Sequence, residues 1–188
     1  MPSKHAFSLI SIFCITALGG CAYVTNIPIP EHLIERQPEK SPVELQAIQS
    51  REFDANKEEL ISVFIGVFLD LGYTLNQTSV SAGLITATTP VQVKQLTVND
   101  VFAHLPVPIL EVQKQMSVVQ TLNTYRTISV LISPIGDNRT RARVSLVVNA
   151  AISDPGFLPY QGVETETTQY QLIFQKVQQG LFLKRNLK

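Results

Sequence analysis

The densest apolar stretch beyond residue 20 runs from Leu60 to Leu71. Leu60, Ile61, Val63, Phe64, Ile65, Val67, Phe68 and Leu71 leave only a narrow polar stripe of Glu59, Ser62, Gly66 and Asp70. A helical period with so wide an apolar sector predicts a helix laid deep on a sheet. Its apolar residues are too few to span a bilayer, which needs about 20. Asp54 is the expected N-cap, Glu58 and Glu59 suit the positive end of the helix dipole, and Gly72 is the expected stop. A second helix is predicted near the end, from about Thr167 to Leu183. There Tyr170, Ile173, Phe174, Val177 and Leu181 form one stripe, and Lys184, Arg185 and Lys188 suit the negative end.

Between these helices the period changes to two. Tyr73 to Ser79 alternates, Leu84 to Thr89 is short, apolar and Thr-rich, and Ser81-Ala82-Gly83 joins them as a hairpin. Thr124 to Ser133 sets Tyr125, Thr127, Ser129 and Leu131 against Arg126, Ile128, Val130 and Ile132. Thr140 to Ala151 pairs with it across the turn-rich Pro134-Ile135-Gly136-Asp137-Asn138. Ahead of the first helix two readings compete. Ser41-Pro42-Val43-Glu44 has the form of a capping box with Pro at the first helical position. Leu45 to Phe53 alternates Ala47, Gln49 and Arg51 against Ile48 and Ser50, and the strand is preferred because it leads straight into the better helix. The order β-α-β-β-β-β-α predicts a single α+β domain, an antiparallel sheet of four to five strands with two helices on one face.

The interval from about 90 to 120 does not fit that plan. Its Val101-Phe102-Ala103-His104-Leu105-Pro106-Val107-Pro108-Ile109-Leu110 is apolar and broken by two prolines. The bland reading is a lid packed on the sheet's open face. The sharper one is a partner-binding or lipid-touching insert led by Phe102, Leu105, Ile109 and Leu110.

The N-terminus reads as an address. Lys4 gives a minimal positive region, and Ala6 to Leu18 follows as an apolar run about half as long as a transmembrane helix requires. Leu18-Gly19-Gly20-Cys21 then looks like the lipobox of bacterial lipoproteins, with an aliphatic residue, two small ones beside the cut, and the cysteine. The resemblance implies a signal peptide over 1–20 recognised through Leu18, Gly19 and Gly20. It also implies covalent diacylglycerol and an N-acyl chain on Cys21. Ala22 in place of Asp implies sorting to the periplasmic face of the outer membrane. Residues 21–44, with Pro28, Pro30, Pro38 and Pro42, are expected to be an extended tether, and 45–188 the domain.

Composition narrows the chemistry. At 45% hydrophobic and 16% charged the chain is globular rather than disordered. Basic and acidic residues are 15 each, and loss of 1–20 removes Lys4 alone, so nothing favours nucleic acid, whose phosphates demand a basic excess. Cys14 leaves with the leader, so no cysteine pair survives for a disulfide and no free thiol for a nucleophile or metal. His32 and His104 have no metal-ligand spacing, no nucleophile elbow or phosphate-cradling glycine motif occurs, and Glu164 and Glu166 read as solvated charges before the last helix. No metal or dissociable cofactor is expected, and no catalysis. One charged feature is ordered: Arg139, Arg141 and Arg143 alternate and should share a sheet face, where they could meet lipid headgroups or an acidic partner.

A wider resemblance emerges from Phe53-Asp54 leading into an apolar helix, Leu69-Asp70-Leu71-Gly72-Tyr73, Gly83-Leu84-Ile85-Thr86-Ala87, and the closing Tyr170 to Leu183. The pattern is similar to small Gram-negative envelope lipoproteins, and the architecture resembles the helix-grip domain of the C lipoprotein of the β-barrel assembly machinery. It implies an accessory or structural envelope lipoprotein that contacts another envelope protein without catalysis. The alternative is a periplasmic carrier holding a lipid or other apolar ligand between sheet and helices.

Overall fold

The computed structural model describes residues 27–34, 39–97, 100, 120–153 and 156–186. The lipobox residues Leu18, Gly19, Gly20 and Cys21 and the insert residues Phe102, Leu105, Ile109 and Leu110 lie outside them.

The chain is a single α+β domain. In order it forms β1 (Ile27–Pro28), a 3-10 turn (Glu31–Leu33), α1 (Pro42–Gln49), β2 (Ser50–Phe53), α2 (Lys57–Asp70), β3 (Thr74–Ser79) and β4 (Leu84–Thr88). There follow β5 (Gln92–Leu96), β6 (Gln120–Gly136), β7 (Arg139–Ile152), β8 (Phe157–Leu158), β9 (Tyr160–Val163) and α3 (Thr167–Asn186). The main sheet has seven strands along the path β2-β7-β6-β4-β3, with β5 on β6 beyond β4 and β9 on β7 beyond β2. All its pairings are antiparallel. A separate parallel pair joins β1 to β8.

Three expectations change. The sheet is larger than four to five strands because β5 and β9 also pair. Four of the five residues of β5 are exposed, so it has no apolar alternation to betray it. The expected strand Leu45–Phe53 divides. The capping box forms, with Ser41 Oγ accepting from Glu44 N–H at 3.3 Å and Glu44 Oε2 accepting from Ser41 N–H at 3.0 Å. It therefore starts a two-turn helix, and the strand is confined to 50–53. Residues 27–34, expected within a 21–44 tether, belong to the fold: β1 pairs with β8, and Ile29 and Ile34 are buried at 2% and 5% exposure.

Helix α2 is capped by Asn56 rather than Asp54, because Asn56 Oδ1 accepts the Glu59 N–H at 2.8 Å. It ends as read. Gly72, at φ +78°, closes a Schellman turn in which Tyr73 N–H reaches Phe68 O at 2.9 Å and Gly72 N–H reaches Leu69 O at 3.0 Å. The Tyr73 and Phe68 rings meet at 5.8 Å, the apolar contact that accompanies such a turn.

The main core lies between the sheet and helices α2 and α3. Ile128, Val130 and Ile132 of β6 and Ala142, Val144 and Leu146 of β7 face Leu60, Phe64 and Phe68 of α2 and the predicted stripe of α3. Tyr170, Phe64, Phe68 and Phe174 are each exposed by 2% or less. These rings pack between the sheet and the two helices. A second, smaller core gathers Ile29, Ile34, Leu96, Leu122, Ala150, Ile152 and Phe157 toward the other end of the β6–β7 hairpin.

Candidate functional site

The sheet's other face carries the residues that sequence reasoning singled out. Arg139, Arg141 and Arg143 do share it, as alternation requires, and their neighbours decide their chemistry. Register places Glu52 of β2 opposite Arg141. Glu52 accepts from Arg139 and from Arg141, each at 2.7 Å, and Arg143 donates to Gln49 Oε1 at 3.3 Å. Asp54 adds a contact to Arg139 at 3.8 Å. The hydrogen bond from Arg141, joined by the charges of both arginines, holds the Glu52 carboxyl below its ordinary range. The row is thus largely a self-neutralised network, only partly available to an outside anion.

Along the same face, from Leu131 opposite Arg143 onward, the row turns apolar and hydroxylic. Leu131 stands opposite Leu84, Ser129 opposite Thr86 and Ser145, and Val147 between Thr127 and Val163. Tyr125, Leu131 and Val163 are 38%, 49% and 45% exposed, and Val93 of β5 is 63% exposed. No helix among the described residues packs on this face.

Glu164 is a feature the sequence did not disclose. Read as a solvated charge, it is 2% exposed: it directly follows β9, whose last residue Val163 faces outward, and its own side chain is buried. Its backbone N–H donates to Leu146 O at 2.9 Å and its carbonyl accepts the Tyr170 hydroxyl at 2.7 Å. Its Oε1 accepts the Glu166 N–H at 3.1 Å, just ahead of α3. Arg126 Nη2 lies 3.9 Å from Oε2, a charge partner beyond hydrogen-bond reach. The pair borders a small pocket of about 190 Å³, whose walls include Leu33, Ile34, Thr89, Gln92, Thr124 and Val148. The nearby Tyr73 hydroxyl is pushed up by burial, with Arg126 opposing and Glu164 reinforcing the shift.

Glu166 is engaged with Thr168 and Gln169 rather than facing Glu164 as an acid–base partner. Among the described residues no group of three His, Cys, Asp or Glu is placed to hold a metal, and no helix is long and apolar enough to cross a membrane.

No family model and no curated protein matches the chain. Among solved structures it is similar to a DUF4468 family protein from Bacteroides ovatus, with a TM-score of 0.37 and 7% identity, covering 76% of this chain and 96% of that one.

Proposed function

We propose that the chain is an outer-membrane lipoprotein, anchored by lipid on Cys21. Its α+β domain is a non-catalytic interaction module, an accessory or structural factor in envelope assembly. The observation that carries this reading is the Leu18-Gly19-Gly20-Cys21 tetrapeptide, placed after a short apolar run and only a few residues ahead of the first described strand. Several acyl chains, each buried CH₂ worth about 0.8 kcal/mol, make such anchoring stable. Support for the interaction half comes from the sheet. One face is covered by α2 and α3, while the other presents Tyr125, Leu131 and Val163 beside an arginine row in which Glu52 pairs Arg139 and Arg141. Mixed aromatic, aliphatic and paired-charge surfaces of this kind suit a protein partner. Cys21→Ser should abolish acyl labelling and release the protein from membranes. A photo-crosslinker at Leu131 or Val163 should capture a defined envelope protein, whereas one at Ser62 on the outer side of α2 should not. Continued lipid labelling of Cys21→Ser would sink the anchor. Equal capture from both faces would sink the open-face reading.

A further inference from the structure

We infer that the β1–β8 end of the domain is its membrane-contacting surface, seated at the phospholipid headgroups, and that the arginine end of the sheet points away from the bilayer. The inference rests on the proposed anchor at Cys21 and adds where on the domain the bilayer lies.

Reach decides which end can meet the bilayer. Six peptide links separate Cys21 from Ile27, where β1 begins. Fully extended they span at most about 21 Å. The chain does not wander after that point. Ile27 is paired with Phe157, Pro28 with Leu158, and Ile29 is buried in the second core, so the entry point is fixed to one end of the sheet. The other end is far off. Strand β7 has 14 residues, from Ile152 in the second core to Arg139 at the hairpin turn. At about 3.3 Å per residue that is roughly 43 Å, twice the longest reach of the linker.

The surface near the entry suits the place. Leu158 is 46% exposed beside the exposed Pro28, and on β5 Val93 is 63% exposed, with Lys94 exposed on the opposite face of that strand. Exposed apolar side chains at this end suit contact with a phospholipid headgroup layer. At the far end Arg139 and Arg141 are already shared with Glu52, and Asp54 and Asp137 add negative charge. Arg139, Arg141 and Arg143 therefore lie at the end that points away from the bilayer.

The test uses the acylated full chain purified from membranes and reconstituted into phosphatidylethanolamine–phosphatidylglycerol vesicles carrying a headgroup spin label. A fluorophore is placed by Gln95→Cys at the β1–β8 end, or by Asn138→Cys at the hairpin turn. Acylation consumes the Cys21 thiol, so each label is specific. Quenching should be several-fold stronger at position 95 than at 138. Equal quenching, or stronger quenching at 138, overturns the inference. Acyl labelling and vesicle flotation run on the same preparations separate the two levels. Loss of both means the anchor reading has failed, whereas intact anchoring with equal quenching means the orientation alone has failed.

Discussion

Two glycines with nearly the same backbone angle should respond very differently to a single methyl group. Gly72 has φ +78° and Gly83 φ +69°, both in the left-handed region where an L side chain costs about 1–2 kcal/mol. Part of that is offset, by about 0.4–1 kcal/mol, because alanine also restricts the unfolded chain. Around Gly72 a Cβ would meet nothing within 4 Å, so Gly72→Ala should cost about 1 kcal/mol. Around Gly83 the same Cβ would lie 2.1 Å from the Ile132 carbonyl oxygen, a backbone atom of the central strand β6. The turn must then back away. Doing so strains the Ile132 N–H to Gly83 O bond of 2.8 Å, worth about 1 kcal/mol net. It also loosens the adjoining pairs Leu84↔Leu131 and Ile85↔Val130. Gly83→Ala should therefore cost about 3 kcal/mol or more, with the excess over Gly72→Ala arising from close approach alone. Urea titration followed by far-UV circular dichroism measures both, the chain having no tryptophan. Equal costs for the two variants would refute the reasoning, since they share the conformational penalty and differ only in what the methyl meets.

Three further outcomes follow from single contacts. Asn56→Ala should destabilise the domain by about 1 kcal/mol through loss of the α2 cap, while Asp54→Ala should leave that cap intact; chemical denaturation of the two variants distinguishes the true N-cap. Gly180 brings α3 against α2, with a Cβ placed there only 2.7 Å from Val63 Cγ1. Gly180→Leu should cost about 1–3 kcal/mol by overpacking despite better helix propensity, and Val63→Ala should recover part of it in a double-mutant cycle, with strict additivity counting against the contact. Burial pushes the Tyr170 and Tyr73 hydroxyls up from their ordinary range. Each neutral form is favoured in the fold, so its stabilisation is full below the unfolded tyrosine pKa near 10 and is lost as pH rises through the folded one. Alkaline denaturation should thus begin above about pH 10 and flatten in Tyr73→Phe, an unchanged slope arguing against the shift.

What could be seen in the chain depended on whether a residue's surroundings repeat with a local period. The α3 stripe of Tyr170, Ile173, Phe174, Val177 and Leu181 is the buried set of that helix, because the helix lies along one flat surface and each turn meets the same sheet. Strands β6 and β7 were legible for the same reason, with Ile128, Val130 and Ile132 inward and Tyr125, Ser129 and Leu131 outward. The period failed where a segment is exposed on both sides, as in β5, or where two periods fit the same letters, as in Leu45–Phe53. There most of α1 faces solvent and the capping box, a specific hydrogen-bond geometry, decides. The candidate site was half legible. Alternation puts Arg139, Arg141 and Arg143 together, but the pairing of Arg139 and Arg141 with Glu52 depends on the β2–β7 register across a long sequence separation. Glu164 was missed because a short strand before a helix carries too few residues to reveal which way its side chains point.

The two cores follow from a mismatch of lengths that the same sequence sets. Helix α2, of 14 residues, is about 21 Å long, and α3, of 20 residues, about 30 Å. Strand β7, also of 14 residues, runs roughly 43 Å, so the helices cannot cover the inward face of the whole hairpin. Beyond their reach Leu122, Ala150 and Ile152 still point to that face and need apolar cover. It comes from Ile29 and Ile34, residues close behind Cys21, together with Leu96 and Phe157. A segment that composition alone marks as a tether is thereby drawn into the fold, which leaves six peptide links between Cys21 and β1. The length of the β6–β7 hairpin, through the second core, thus fixes which end of the domain the proposed lipid anchor can hold to the bilayer.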